Sequence, residues 1–428
     1  MSEQPGECGV AGRVGASGCG RAAVLAALVA GAAAGCGAAD TAPTYAVRDS
    51  AGVRIVESTA PAWRAGEGWR VAAEPSLQIG VVDGPEEYQF SRIVGAERLP
   101  DGRIVVADQR AAQLRFYDAE GRFLDAYGRS GSGPGEFRSM LWARAYRGDS
   151  LAVWDGGARR LTVIDLATRQ GRTQRIEVPQ HRADQVGGTL WVQIPGAVSG
   201  VFGDGTLLVT PQLWLLVAPG KAIRPAATFV RYSAAGEPLD TVLEVPGPEV
   251  LFPPPGPARR ISRPFEPPFV SAMHGVRFYH GPGEAYEVRV YAADGALERV
   301  IRASHRDLAM TEAAREAYRR DQRARAQDDA ARAEIERALA EVEFPATLPP
   351  YSSVLVDAED HLWVQDYVLP GHEGPTTWSV FDPAGRLLGV VELPARFGPR
   401  QIGRDFVLGT WTDDVDVQYV RLYGLERG

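Results

Sequence analysis

Phe90-Ser-Arg-Ile-Val-Gly-Ala-Glu-Arg-Leu-Pro-Asp-Gly-Arg-Ile-Val-Val-Ala-Asp108 and Phe137-Arg-Ser-Met-Leu-Trp-Ala-Arg-Ala-Tyr-Arg-Gly-Asp-Ser-Leu-Ala-Val-Trp-Asp155 are one unit written twice. Phe to Asp spans 18 residues in both, and the next matched pair, Asp118 and Asp165, lies ten residues further on in each, so three anchors recur at a period of 47. Asp366 and Asp413 are again 47 apart. Self-similarity at this period marks a repeat architecture. Each unit carries four short runs of β-branched and aromatic residues, such as Arg103-Ile-Val-Val-Ala107 and Gln113-Leu-Arg-Phe-Tyr117. Between them recur the turns Asp118-Ala-Glu-Gly121, Ser233-Ala-Ala-Gly236, Ala292-Ala-Asp-Gly295 and Asp382-Pro-Ala-Gly385, whose fourth residue suits a positive φ. Four short strands per unit of this length predict a β-propeller blade.

Units begin near 90, 137, 195, 268, 348 and 397, which predicts six blades; Gly188-Thr-Leu-Trp-Val-Gln-Ile194 is an extra strand-like run that leaves a seventh open. The last unit ends after a third strand, Val417 to Tyr423, while Ser76-Leu-Gln-Ile-Gly80 precedes the first unit. That N-terminal segment is expected to supply the missing outer strand and close the ring, removing the open edges. Residues 307–343 are alanine-rich, with acid and arginine interleaved and neither Gly nor Pro, which predicts a helical insertion between blades four and five. Thr311 is its candidate N-cap, and its thin apolar side predicts either a bend into two helices or a surface position. A second insertion, 213–225, interrupts blade three, and a proline-rich connector follows over 246–268.

At the N-terminus, Arg13 and Arg21 precede an apolar run from Ala22 to Gly35, which ends at Cys36. Fourteen small or apolar residues fit a secretory h-region and are too short to span a bilayer. The expected organisation is therefore a signal peptide over 1–35, a lead-in over 36–68 and an all-β propeller over 69–428. An ordinary signal peptide cut near Ala39 is the alternative. All three cysteines, Cys8, Cys19 and Cys36, fall in this region, which leaves no pair for a disulfide in the body of the chain. A net charge of −8 without a basic block excludes a nucleic-acid partner.

Two resemblances follow from these motifs. Ala33-Ala-Gly-Cys36 resembles the lipobox of bacterial lipoproteins, with Ala33 where leucine is usual; this implies lipidation of Cys36 and an exported protein held at a membrane of the cell envelope. Leu99 to Asp108, Leu114 to Gly121 and Gly131-Ser-Gly-Pro-Gly-Glu-Phe137 resemble NHL-type blades. The chain from Ala51 onward is similar to the bacterial six-bladed β-propeller lipoproteins, which implies a binding or scaffolding role toward a protein, peptide or glycan.

Counting along the repeat places Asp108, Asp155, Gln212, His280, Asp366 and Asp413 on second-to-third-strand loops around the channel mouth. Carboxylates and a histidine at one mouth could hold a divalent cation and support a metal-assisted hydrolase or lyase. The same aspartates could instead cap their own loops. The six histidines have no metal-ligand spacing, and no Gly-x-Ser-x-Gly, His-Glu-x-x-His or Walker-type loop occurs. A binding module is the expectation that results.

Overall fold

A computed structural model describes residues 44–64, 66–183, 190–194, 196–217, 222–248, 250–251 and 264–428. The signal region and Cys36 lie outside the described residues. Six four-stranded antiparallel units form a ring, with first strands Ile93–Arg98, Met140–Tyr146, Ala197–Val201, Val270–His274, Tyr351–Val356 and Phe397–Ile402. All six starts lie within three residues of those expected. Leu190–Ile194 is no seventh blade. It pairs with Gln212–Val217 in a separate three-stranded sheet.

Second strands such as Ile104–Asp108 and Ser150–Asp155 are buried along almost their whole length. They read as unbroken apolar runs because neighbouring blades cover both faces. Alternation then divides each strand between two interfaces: Val105 and Ala107 pack toward blade two, Ile104 and Val106 toward blade six. Six apolar clusters fill the six blade interfaces. The turn glycines Gly121, Gly236, Gly295 and Gly385 all have positive φ, between 78 and 96°.

The closing strand is where the sequence placed it. Leu77–Ile79 pairs with Val420–Leu422 of blade six. The preceding residues do more than lead in. Tyr45–Ser50 and Val53–Ser58 form a hairpin, and its second strand runs parallel to Leu297–Ala303, the outer strand of blade four. The chain then crosses blade five, where Ala62 N and Trp63 N donate to Leu387 O and Leu388 O at 3.1 and 2.7 Å. Arg70–Val71 pairs with Leu425 and Glu426 of blade six before Leu77–Ile79 follows. Residues 45–79 are thus a belt over the outer edges of three blades, not a free lead-in ahead of a propeller beginning at 69. Gly389 makes room for it: a Cβ there would stand 2.1 Å from the Trp63 ring.

Two glutamine side chains join the last blade to the first. Gln418 Oε1 accepts from Ile93 N at 2.7 Å, and Gln401 Oε1 accepts from Arg98 N at 2.7 Å.

The helical insertion divides into α1 (Glu312–Ala324) and α2 (Asp329–Ala340). Thr311 caps the first, accepting from Ala314 N at 3.1 Å. Asp328 caps the second, accepting from Ala331 N at 2.7 Å. The bend falls where the apolar stripe is interrupted and an aspartate offers a new N-cap.

Candidate functional site

In a four-stranded meander, second-to-third-strand loops and blade-to-blade connections emerge on one face, here the loop face. The sequence-marked residues belong to it, but they do not converge. Asp108 and Asp155 pair with Ile93 and Met140 in equivalent register, as Asp366 does with Tyr351. In blade six, Phe397 pairs with Trp411, so Asp413 lies beyond the strand in the following turn. In blade four, Val270 pairs with Gly281, which puts His280 one place off with its side chain in the core. Gln212 begins an excursion from blade three, and its N–H donates to Pro179 O at 2.8 Å. Period counting missed these offsets because insertions and bulges shift the register without changing strand order.

The carboxylates are engaged locally. Asp108 accepts from Ser91 N, Arg92 N and Arg110 N at 3.0 to 3.2 Å. Asp155 accepts from Arg138 N, Ser139 N and Ala158 N at 2.9 to 3.0 Å. Asp413 accepts from Val415 N, Val417 N and the Tyr419 hydroxyl. Asp108 and Asp155 each tie their own loop to the segment that enters the first strand of the blade, and Asp413 caps its own turn. Among the described residues no three His, Cys, Asp or Glu side chains come together as a metal site, so the acidic ring has no shared focus. His280 is wholly buried, lies 4.9 Å from the Phe269 ring, and is pushed down to about 4 chiefly by burial. It is a neutral core residue at neutral pH.

Asp366 differs. Its carboxylate accepts from Ser379 Oγ at 3.1 Å and Tyr286 OH at 3.3 Å, and it is paired with Arg306. Burial raises its pKa, with Arg306 opposing. His305 Nε2 lies 3.1 Å from Ser379 Oγ, and burial followed by the Arg306 charge holds His305 down at about 4. Serine, histidine and aspartate meet here without forming a nucleophilic triad: the carboxylate bonds the serine instead of orienting the imidazole, and Ser379 is 0% exposed. The network instead fastens the start of the helical insertion to blade five.

The insertion is docked on the ring. Ala314, Tyr318, Ile335 and Leu339 of the two helices pack with Phe265, from the connector before blade four, and with Tyr367 and Leu369 of blade five. Between the segment that returns from the insertion and blade four is a cleft of about 430 Å³, lined by Phe265, Pro267, Glu284, Phe344, Thr347 and Leu348 among others. A second cavity, of about 410 Å³, lies on the axis at the opposite mouth. It is bounded by the far halves of the innermost strands and includes Glu97, Arg144 and Arg400. These three were passed over in the sequence although a signal was there. Glu97 and Arg144 occupy the same place in the quoted repeat, each a charge that follows an alanine in an innermost strand.

No family model and no curated protein matches the chain. Among solved structures it is similar to a Bacteroides fragilis protein described as exported (10% identity, TM-score 0.46, covering 87% of this chain and 99% of that one). A member of the DUF4221 family from Bacteroides vulgatus is similar at 12% identity and TM-score 0.48, over 85% of this chain and 99% of that one. A gluconolactonase from Xanthomonas campestris is similar at 14% identity and TM-score 0.41, over 83% and 100%.

Proposed function

We propose that this protein is an exported binding propeller, tethered to a membrane of the cell envelope through lipidated Cys36, that seats a protein, peptide or glycan ligand on its loop face. The cleft of about 430 Å³ beneath the helical insertion carries this reading. It has the size of a ligand site, and it is walled by connections from separate elements held on a rigid ring. The carboxylates that would have supported a metal-assisted reaction are engaged by backbone N–H groups of their own blades or, at Asp366, by Ser379, Tyr286 and Arg306, which favours binding over catalysis.

Thr347 is exposed on the cleft wall, so Thr347→Arg fills the cleft without entering the core. Envelope components retained on the immobilised wild-type protein are expected to be lost from Thr347→Arg; equal retention overturns the loop-face reading. The tether has its own test. Cys36→Ser is expected to abolish incorporation of labelled palmitate and to move the protein from the membrane to the soluble fraction. Labelling that persists removes Cys36 as the anchor. Two or more acyl chains hold a protein durably where one does so marginally.

A further inference from the structure

The axial cavity lies at the mouth opposite the loop face, among the turns that join first to second strands. It takes residues from all six blades. A volume of about 410 Å³ suits a small molecule better than a polymer. Its charged and titratable groups are Glu97, Arg144, Arg147, His274 and Arg400, with the Tyr146 phenol. Three guanidiniums therefore face at most one carboxylate. His274 Nε2 is already 3.5 Å from Asp360.

Arg144 and Arg400 stand out by what they lack. Among the described residues no hydrogen bond or ion pair engages the Arg144 guanidinium. Arg400 makes only two long contacts, to Thr410 Oγ1 and Ile93 O, both 3.4 Å. Both side chains are exposed to the solvent of the cavity mouth. Crowding by the surrounding blades pulls both below the ordinary arginine range; the Glu97 charge opposes this at Arg144, and the Arg144 charge adds to it at Arg400. Glu97 is the one carboxylate whose charge acts on Arg144, and among the described residues no ion pair holds Arg400, so this mouth is net positive and attracts anions. A planar guanidinium fork is the group that best matches a carboxylate or phosphate.

We propose that this cavity binds a small molecule bearing a carboxylate or phosphate, gripped between Arg144 and Arg400, with its apolar remainder against Trp142, Met273 and Leu355. Glu97 moderates the capture. Burial pushes it up to about 7, against Arg144 and the Ala145 N–H, so it ionises near neutrality. Once ionised it offsets one guanidinium and repels the ligand. Affinity therefore falls as pH rises through that value.

The test is calorimetric titration of the purified protein with citrate, inorganic phosphate and sulfate. Saturable binding of citrate or phosphate is expected, and whichever binds more tightly identifies the charged group of the ligand. Arg144→Gln and Arg400→Gln should each weaken it about tenfold or more. Arg144 is exposed and makes no hydrogen bond among the described residues, so Arg144→Gln should melt within about two degrees of wild type, which separates lost binding from lost folding. Sulfate keeps its charge between about pH 6 and about pH 8, and should bind more weakly at the higher value; Glu97→Gln should flatten that dependence. Thr347→Arg, at the other face, should leave anion binding unchanged, so this site and the loop-face reading can fail separately. No saturable binding by any of the three anions, or binding indifferent to both arginine substitutions, overturns the proposal.

Discussion

A chain cut back to residue 82 is expected not to fold into a stable ring, whereas one cut back to residue 44 should melt within about two degrees of the full-length protein. The cut at 82 removes the whole belt. With it go Ile55, Val56 and Ile79, which are 8, 1 and 1% exposed, and the indoles of Trp63 and Trp69. Burying a large apolar side chain contributes about 1.5–3 kcal/mol, so five such losses reach the about 5–15 kcal/mol that typically holds a domain together. The cut also strips the backbone partners from the outer strands of blades four and six and from part of blade five. Exposed edges of that kind pair with other chains. Cutting at 60 removes only the hairpin on blade four and should give an intermediate melting temperature. Circular dichroism melts with size-exclusion chromatography would measure the series. Equal melting temperatures for the cuts at 44 and 82 would refute closure by the belt.

Asp357→Ala should lower stability by about 3–5 kcal/mol, the range seen when one partner of a buried ion pair is removed. Asp357 sits in the turn after the first strand of blade five and is 0% exposed. It accepts from Glu359 N and His361 N at 2.9 Å, from Trp363 Nε1 at 3.1 Å and from Arg427 at 2.8 Å. Arg427 also lies 4.2 Å above the Trp69 ring and donates to Gly403 O at 2.9 Å. One carboxylate therefore joins blade five, the C-terminal end of the chain and the belt. Truncation leaves a buried indole N–H unpaired and Arg427 with only the half-exposed Glu359 as an ionic partner. Asp357→Asn should respond to pH in a defined direction. Burial alone would raise the Asp357 pKa, but hydrogen bonds from His361 and Trp363 outweigh it and hold the pKa below the usual value. Its contribution is thus complete above the unfolded value of about 3.9 and lost as pH falls through the lower folded value. Wild type and Asp357→Asn should differ at about pH 7, and the gap should close as pH falls through the folded value. A gap of constant size across that range would remove the carboxylate's charge from the explanation.

The fold was largely legible because its determinants are local. The anchors Phe90, Asp108 and Asp118 recur at Phe137, Asp155 and Asp165, and each turn glycine announces its own hairpin. The start of the helical insertion was legible for the same reason, since Thr311 caps the first turn through a residue three places on, while its bend into two helices was one of two alternatives. The belt over blades four and five was not. Val53–Ser58 finds its partner about 245 residues away in Leu297–Ala303, and a parallel pairing across that distance leaves no local mark.

The candidate sites divide along the same line. An aspartate that ends a second strand was rightly seen as special in the sequence, and both a ring of ligands and a set of loop caps were consistent with it. Which of the two holds depends on where neighbouring N–H groups point, and at Asp108 and Asp155 they point into the carboxylates. His280 was misplaced because a shift of one residue moves a side chain to the other face of a strand, and Asp413 because the second strand of blade six ends before it.

By itself the sequence determined the six blades, the closing strand at Leu77–Ile79 and the helical insertion. Hydrophobic periodicity and turn chemistry act over a few residues and survive without knowledge of any partner. Only the tertiary structure decided that the outer edges of blades four, five and six share one belt and that Asp108, Asp155 and Asp413 are bonded within their own blades while Asp366 joins Ser379, Tyr286 and Arg306. It alone brought Glu97, Arg144 and Arg400, from three blades spread over 300 residues, to one cavity on the axis. Closing the ring sets innermost strands from every blade face to face, and no local pattern records who stands opposite whom.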